Sequence, residues 1–223
     1  MLRKNLLVLI LVLSIIQSVT AQSRFSFGIN LYPNLSQRVF EKNSSRKSPK
    51  FSYSAGLFSR YKISKRFDAS LGLNYTNTGY AWGRGSLLDY DGNLVGHTHG
   101  FTSDISITVP LDLHFNIPLK KNFVLSLSAG TGIKYIFDVK AFSVWHYDNG
   151  NVIRHKFPPD EINYINRLNI PVRLGVKLER PITKHLNLYA QPMAELDALN
   201  RHKASIYNTR LLNYGLSIGC VWH

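Results

Sequence analysis

Between residues 101 and 137 apolar and polar positions alternate. Phe101, Ile105, Ile107, Val109, Leu111, Leu113, Phe115 and Ile117 fall on one face of an extended chain, and Thr102, Asp104, Ser106, Thr108, Asp112, His114 and Asn116 on the other. A period of two is the signature of a strand. After the turn Pro118-Leu119-Lys120-Lys121-Asn122 the pattern resumes, with Phe123, Leu125, Leu127, Ala129, Ile133, Tyr135 and Phe137 against Ser126, Ser128, Gly130, Gly132 and Lys134. Two long strands are predicted, forming a hairpin with one apolar face and one polar, glycine-rich face. Ordinary strands run about 5–6 residues, so this length needs a cause. A tilted strand that crosses a bilayer needs about 9–11 residues.

The same alternation predicts strands over 25–32, 51–63, 67–80, 168–179, 186–195 and 212–222, which with the hairpin makes eight. Connections near 33–50, 81–100, 138–167 and 196–209 are long, whereas those at 64–66, 118–122 and 180–185 are short. Outer-membrane barrels have this asymmetry, with short periplasmic turns and long external loops. Asp91-Gly92 and Asn149-Gly150 read as hairpin turns, so the second and third long connections are predicted to extend the strands above the membrane. Proline removes a ladder donor and normally avoids central strands. Pro110 and Pro171 are therefore expected at local bulges, and Pro192 weakens the seventh strand.

An apolar strand face can pack inside a soluble sandwich or face lipid outside a barrel. The opposite face decides, because it is mostly Ser, Gly, Asn and Thr with charges of both signs: Arg60, Lys62, Asp68, Asp104, Asp112, Lys134, Arg173, Lys177, Glu179 and Glu195. A solvated sandwich surface carries more charge and less glycine, while a narrow barrel interior needs small side chains and paired charges. Aromatic girdles are predicted from Tyr61, Phe67 and Phe123 near the short turns and Tyr75, Tyr80, Phe101, Tyr135 and Phe137 toward the long loops. The expected fold is all-β, an eight-stranded antiparallel transmembrane up-and-down β-barrel, with side chains filling its interior.

Residues 1–21 read as a cleaved signal peptide, with Arg3 and Lys4, an apolar run from Leu6 to Ile16 and small residues at Val19-Thr20-Ala21. The barrel domain is then 22–223. Removing Arg3 and Lys4 leaves 25 basic residues against 13 acidic, a net charge of +12. Cys220 is the single cysteine, which excludes an internal disulfide framework and a thiol metal site.

Candidate chemistry is sparse. The first long connection carries Arg38, Lys42, Arg46, Lys47 and Lys50, and the fourth Arg201 and Lys203; at the level of a phosphate-rich outer leaflet these are candidate contacts for lipopolysaccharide. Their plainer reading is solvated surface charge. His97, His99, His146 and His155 lie in the long connections without a carboxylate or cysteine at ligand spacing, so no metal site and no cofactor is expected. Asp89-Tyr90-Asp91-Gly92-Asn93 begins like a calcium loop but lacks its sixth-position glycine and closing glutamate. Asp112 and His114, with Ser126 or Ser128 on the next strand, form the one catalytic set the pattern assembles, and a structural polar lumen explains them better. No nucleic-acid motif accompanies the charge.

The Val109-Pro110-Leu111 and Ile170-Pro171-Val172 strands, each followed by a Pro- and Lys-containing turn and a Phe- or Leu-led strand, resemble the outer-membrane β-barrel family that includes PorT-like proteins. The last strand, Tyr214 to Trp222, is similar to the C-terminal signal read by the barrel assembly machinery, although His223 follows the aromatic. The resemblance implies a cell outer membrane location and outer-membrane lipid and assembly machinery as partners. The expected role is structural or surface-binding, through the long loops, and not enzymatic. A narrow pore for small solutes and a secretion-system accessory are the alternatives.

Overall fold

Alternation becomes geometry in the computed structural model, which describes residues 24–39, 47–158, 165–201 and 209–223. Its strands are β1 (Phe25–Val39), β2 (Lys47–Ser48), β3 (Lys50–Lys62), β4 (Phe67–Thr78), β5 (Ala81–Leu88), β6 (Leu94–Pro118), β7 (Val124–Tyr147), β8 (Val152–Lys156), β9 (Leu168–Asn169), β10 (Pro171–Pro181), β11 (Leu186–Asp197) and β12 (Arg210–Trp222). Eight of them close a ring in the order β1, β3, β4, β6, β7, β10, β11, β12, every neighbour antiparallel. β12 returns to β1, with Phe27 opposite Trp222 and Val39 opposite Arg210. Closure leaves no edge within the ring, the condition for a sheet to cross a bilayer. The expected signal segment and residues 40–46 lie outside the described residues.

The faces are inverted relative to a soluble protein. Leu57, Leu73, Leu113, Ile133 and Leu174 are 55–62 % exposed, whereas Ser106, Ser126 and Lys134 have no exposed surface. That pattern places the apolar side against lipid and the polar side in the lumen. Phe25 meets Tyr61 and Phe67 meets Phe115 near the short turns, with ring centroids 4.8 and 5.2 Å apart. Tyr75 meets Phe137 at 6.4 Å, and Phe101 meets Phe142 at 5.4 Å, toward the other end. Tyr80 departs from the predicted girdle: it is buried inside the mouth, its ring beneath Arg38 and Arg201 at 4.2 and 5.1 Å.

Two predicted details are corrected by the ladder. No register shift occurs at Pro110, which stands opposite Gly132; on its other side a Cβ on Gly72 would lie 3.1 Å from the Pro110 ring. Small neighbours, and no bulge, therefore admit the proline. The shift in the β6–β7 ladder lies between Ile105 and Ser106, where Phe137 is the unpaired extra residue on β7. Pro171 opens β10 after a one-residue break from β9, with the same pairing register to β7 on either side.

β6 and β7 are 25 and 24 residues long and run well past the ring. There β5 and β8 join their outer parts and widen the hairpin into an external sheet, as the two turn signatures predict. In each turn the glycine donates to the carbonyl three residues back, Gly92 to Asp89 and Gly150 to Tyr147, at 3.2 and 3.0 Å. Their φ angles of 81° and 85° explain why glycine stands at both positions.

Candidate functional site

The lumen is a ladder of ion pairs, with space for a water or two between Arg60 and Arg173. Nearest the short turns, Arg60 Nη1 donates to both Glu179 oxygens at 3.0 and 2.9 Å. Asn187 adds a bond to Glu179 at 2.7 Å, and Lys177 lies 3.4 Å away. At mid-height Arg173 reaches Asp112 at 2.7 Å and Glu195 at 3.6 Å. Farther out Lys134 contacts Asp197 at 3.0 Å and Glu195 at 3.4 Å. Arg201 Nε donates to Asp104 at 2.8 Å at the outer mouth. A buried charge must be paired and hydrogen-bonded to survive, and five cations are here balanced by five carboxylates.

Small residues make the ladder possible. A Cβ on Gly130 would sit 2.0 Å from the Asp112 carboxylate, so glycine on β7 is what lets Asp112 point inward to Arg173. The interior cavity between Arg60 and Arg173 is about 30 Å³. Holding one water takes about 10–15 Å³, so this space fits a water or two.

The predicted catalytic set is not assembled. His114 Nε2 is hydrogen-bonded to Ser70 at 2.9 Å, not to Ser126 or Ser128. Ser128 donates to the Gly175 carbonyl and accepts from Gln191, Ser126 donates to Asn116, and Asp112 is held by Arg173. His114 Nδ1 has no partner, so no acid orients the imidazole as a general base requires.

The predicted lipid-contact cations separate into different environments. Arg201 is a correction: it is 2 % exposed and paired with Asp104, no part of a free surface. Lys50 is half-buried, donating to Asn77, the Thr78 carbonyl and Ser103. Arg38 lies over Tyr80. The Lys47 backbone, in β2, pairs with Trp82 of β5, and Lys42, Arg46 and Lys203 lie outside the described residues. Asp197 escaped the sequence reading, although extending the β11 alternation two residues past Glu195 finds it. Tyr80 shares the parity of Asp68, Ser70 and Asn74 in the predicted strand 67–80, which points it inward, whereas Arg201 carried no such signal, because it follows the end of a regular strand.

The external histidines form a stack. His97 and His99 lie against His146 with ring centroids 4.8 and 5.2 Å apart, while His155 packs on Trp145 and Phe157. Among the described residues no group of three or more metal-ligating side chains is arranged to hold an ion. In the β5–β6 turn Asp89 accepts from the backbone N–H of Asp91 and Asn93 and from the Asn93 amide at 2.8–3.1 Å. These bonds hold its carboxyl below the usual carboxylate range.

Comparison with known proteins adds a family and a set of structural likenesses. The sequence model of the outer membrane protein beta-barrel domain matches residues 17–191. No curated protein matches the sequence. Among solved structures, neisserial surface protein A is 9 % identical, with 89 % of this chain and 96 % of that one covered at a TM-score of 0.47. OprG from Pseudomonas aeruginosa is 9 % identical, covering 89 % and 95 % at 0.44. The attachment invasion locus protein Ail of Yersinia pestis is 10 % identical, covering 89 % and 98 % at 0.40.

Proposed function

The chain belongs to the outer membrane protein β-barrel domain family and sits in the cell outer membrane, and from that premise we propose that it is a non-enzymatic anchor displaying an external β-sheet as its working surface. The observation that carries this reading is the length of β6 and β7. Both continue beyond the aromatic residues of the outer girdle to Leu94 and Tyr147, and β5 and β8 stiffen them. A ribbon held by four strands presents side chains with less ordering cost on binding than a free loop. The ion-paired lumen favours this over a narrow pore, since the space between Arg60 and Arg173 is about 30 Å³.

Epitope insertion tests the display. A tag placed after Gly92 or Gly150 is accessible to antibody on intact cells, whereas one placed after Lys65 is reached after permeabilisation; the opposite pattern overturns the reading. Enzymatic action on lipid A predicts altered lipid A mass profiles on deletion or overexpression, and unchanged profiles are the result expected here. A secretion accessory role of the PorT kind predicts co-purification of large partner proteins.

A further inference from the structure

The two ends of the barrel differ in charge. At the short-turn end Arg24, Lys62, Lys65, Arg66, Lys120 and Arg180 are all exposed. The carboxylates nearest them, Asp68 and Glu179, are 7 % and 5 % exposed and already engaged, Asp68 by Asn116 and Glu179 by Arg60 and Asn187. Among the described residues no exposed Asp or Glu offsets this rim, whereas Asp89, Asp91 and Asp148 are exposed on the external sheet.

A cavity of about 270 Å³ opens inside that rim, lined by Arg24, Lys62 and Lys65, with Arg60, Asp68 and Glu179 further in. It is blind: inward lie the Arg60–Glu179 pair and Lys177, and beyond them the space of about 30 Å³. Arg60 gives Nη1 to Glu179, but its Nε is buried without a hydrogen-bond partner. Three exposed cations, and one buried guanidinium whose donors are not all used, surround a space the size of a small polar group.

We propose that this periplasmic mouth is a binding site for the oxyanion group, phosphate or carboxylate, of a soluble ligand. Lys62 and Lys65 act as mobile point charges that adapt to anions of different shape, and Arg24 closes the rim. The cationic ring raises the local concentration of anions and draws them in from the periplasm. A headgroup in the surrounding leaflet meets the outside of the barrel, whereas this cavity is lined by inward-facing side chains such as Ser26, Arg60 and Asp68, so the ligand comes from solution.

The test is calorimetric titration of the full chain, folded in zwitterionic detergent, with inorganic pyrophosphate and with citrate. Saturable binding of either anion, weakened by added salt, is the expected result, and the preferred one identifies phosphate or carboxylate as the source. Lys62→Gln/Lys65→Gln removes two charges at contact range and lowers affinity about tenfold. Lys62→Arg/Lys65→Arg retains binding, as does Lys140→Gln on the external sheet, and heat-modifiable mobility verifies that each variant is folded. Absence of saturable binding, equal affinity in the Gln double variant, or binding confined to vesicles of anionic phospholipid overturns the proposal.

Discussion

Lys134 has no exposed surface and stands between Asp197 and Glu195. Removing the cation alone strands Asp197 in the lumen while Glu195 keeps Arg173 and Asn213, and breaking a buried pair this way costs about 3–5 kcal/mol. Lys134→Met is therefore expected to lower unfolding free energy by that amount in denaturant titrations of the reconstituted protein. An unchanged midpoint would mean that water, not Lys134, satisfies Asp197. Asp89 is a surface counterpart. Its carboxylate orders the β5–β6 turn when ionised, and because its pKa is depressed that contribution is present at neutral pH and lost only as pH falls below the ordinary carboxylate range. Asp89→Ala is expected to raise amide exchange at Asp91 and Asn93 while leaving barrel mobility on gels unchanged. The inward charges Arg60, Asp112, Arg173 and Glu195 were legible from alternation alone, since strand parity fixes the face. Their pairings were not, because which residues meet across a lumen depends on strand stagger, which no local pattern encodes.

At the scale of the element, the β6–β7 hairpin carries both the membrane crossing and the external sheet. Its transmembrane part was legible because lipid on one side and a packed lumen on the other enforce a strict period of two. Its outer part was blurred by Phe137: one extra residue shifts parity on β7, so that Ala141 and Ser143 turn inward after Lys134 and Ile136. The phase change looks like the end of a strand in a sequence, although the ladder continues to Tyr147. Leu174 on β10 tests the lipid face directly, being 62 % exposed. Leu174→Arg is expected to cost about 2–4 kcal/mol in unfolding from lipid vesicles, the penalty for a charge near the bilayer midplane. A neutral effect would mean that this face meets water.

For the whole molecule, eight strands leave a lumen just wide enough for side chains to fill, and the sequence met that limit with paired charges opposite glycine and serine. The eight-stranded count, the alternation of long and short connections and the inversion of faces were legible because each follows from one solvent boundary repeated at every strand. The candidate cations were less so: the pattern placed Arg201 and Lys50 on loops, whereas the structure draws Arg201 to Asp104 inside the mouth and Lys50 onto Asn77 and Ser103. On the proposed function the barrel is an anchor closed by its own ion pairs. Planar-bilayer recording of the purified, reconstituted protein tests it most directly. A flat baseline without unitary steps across the voltage range is expected, and steady stepwise currents would contradict the anchor reading.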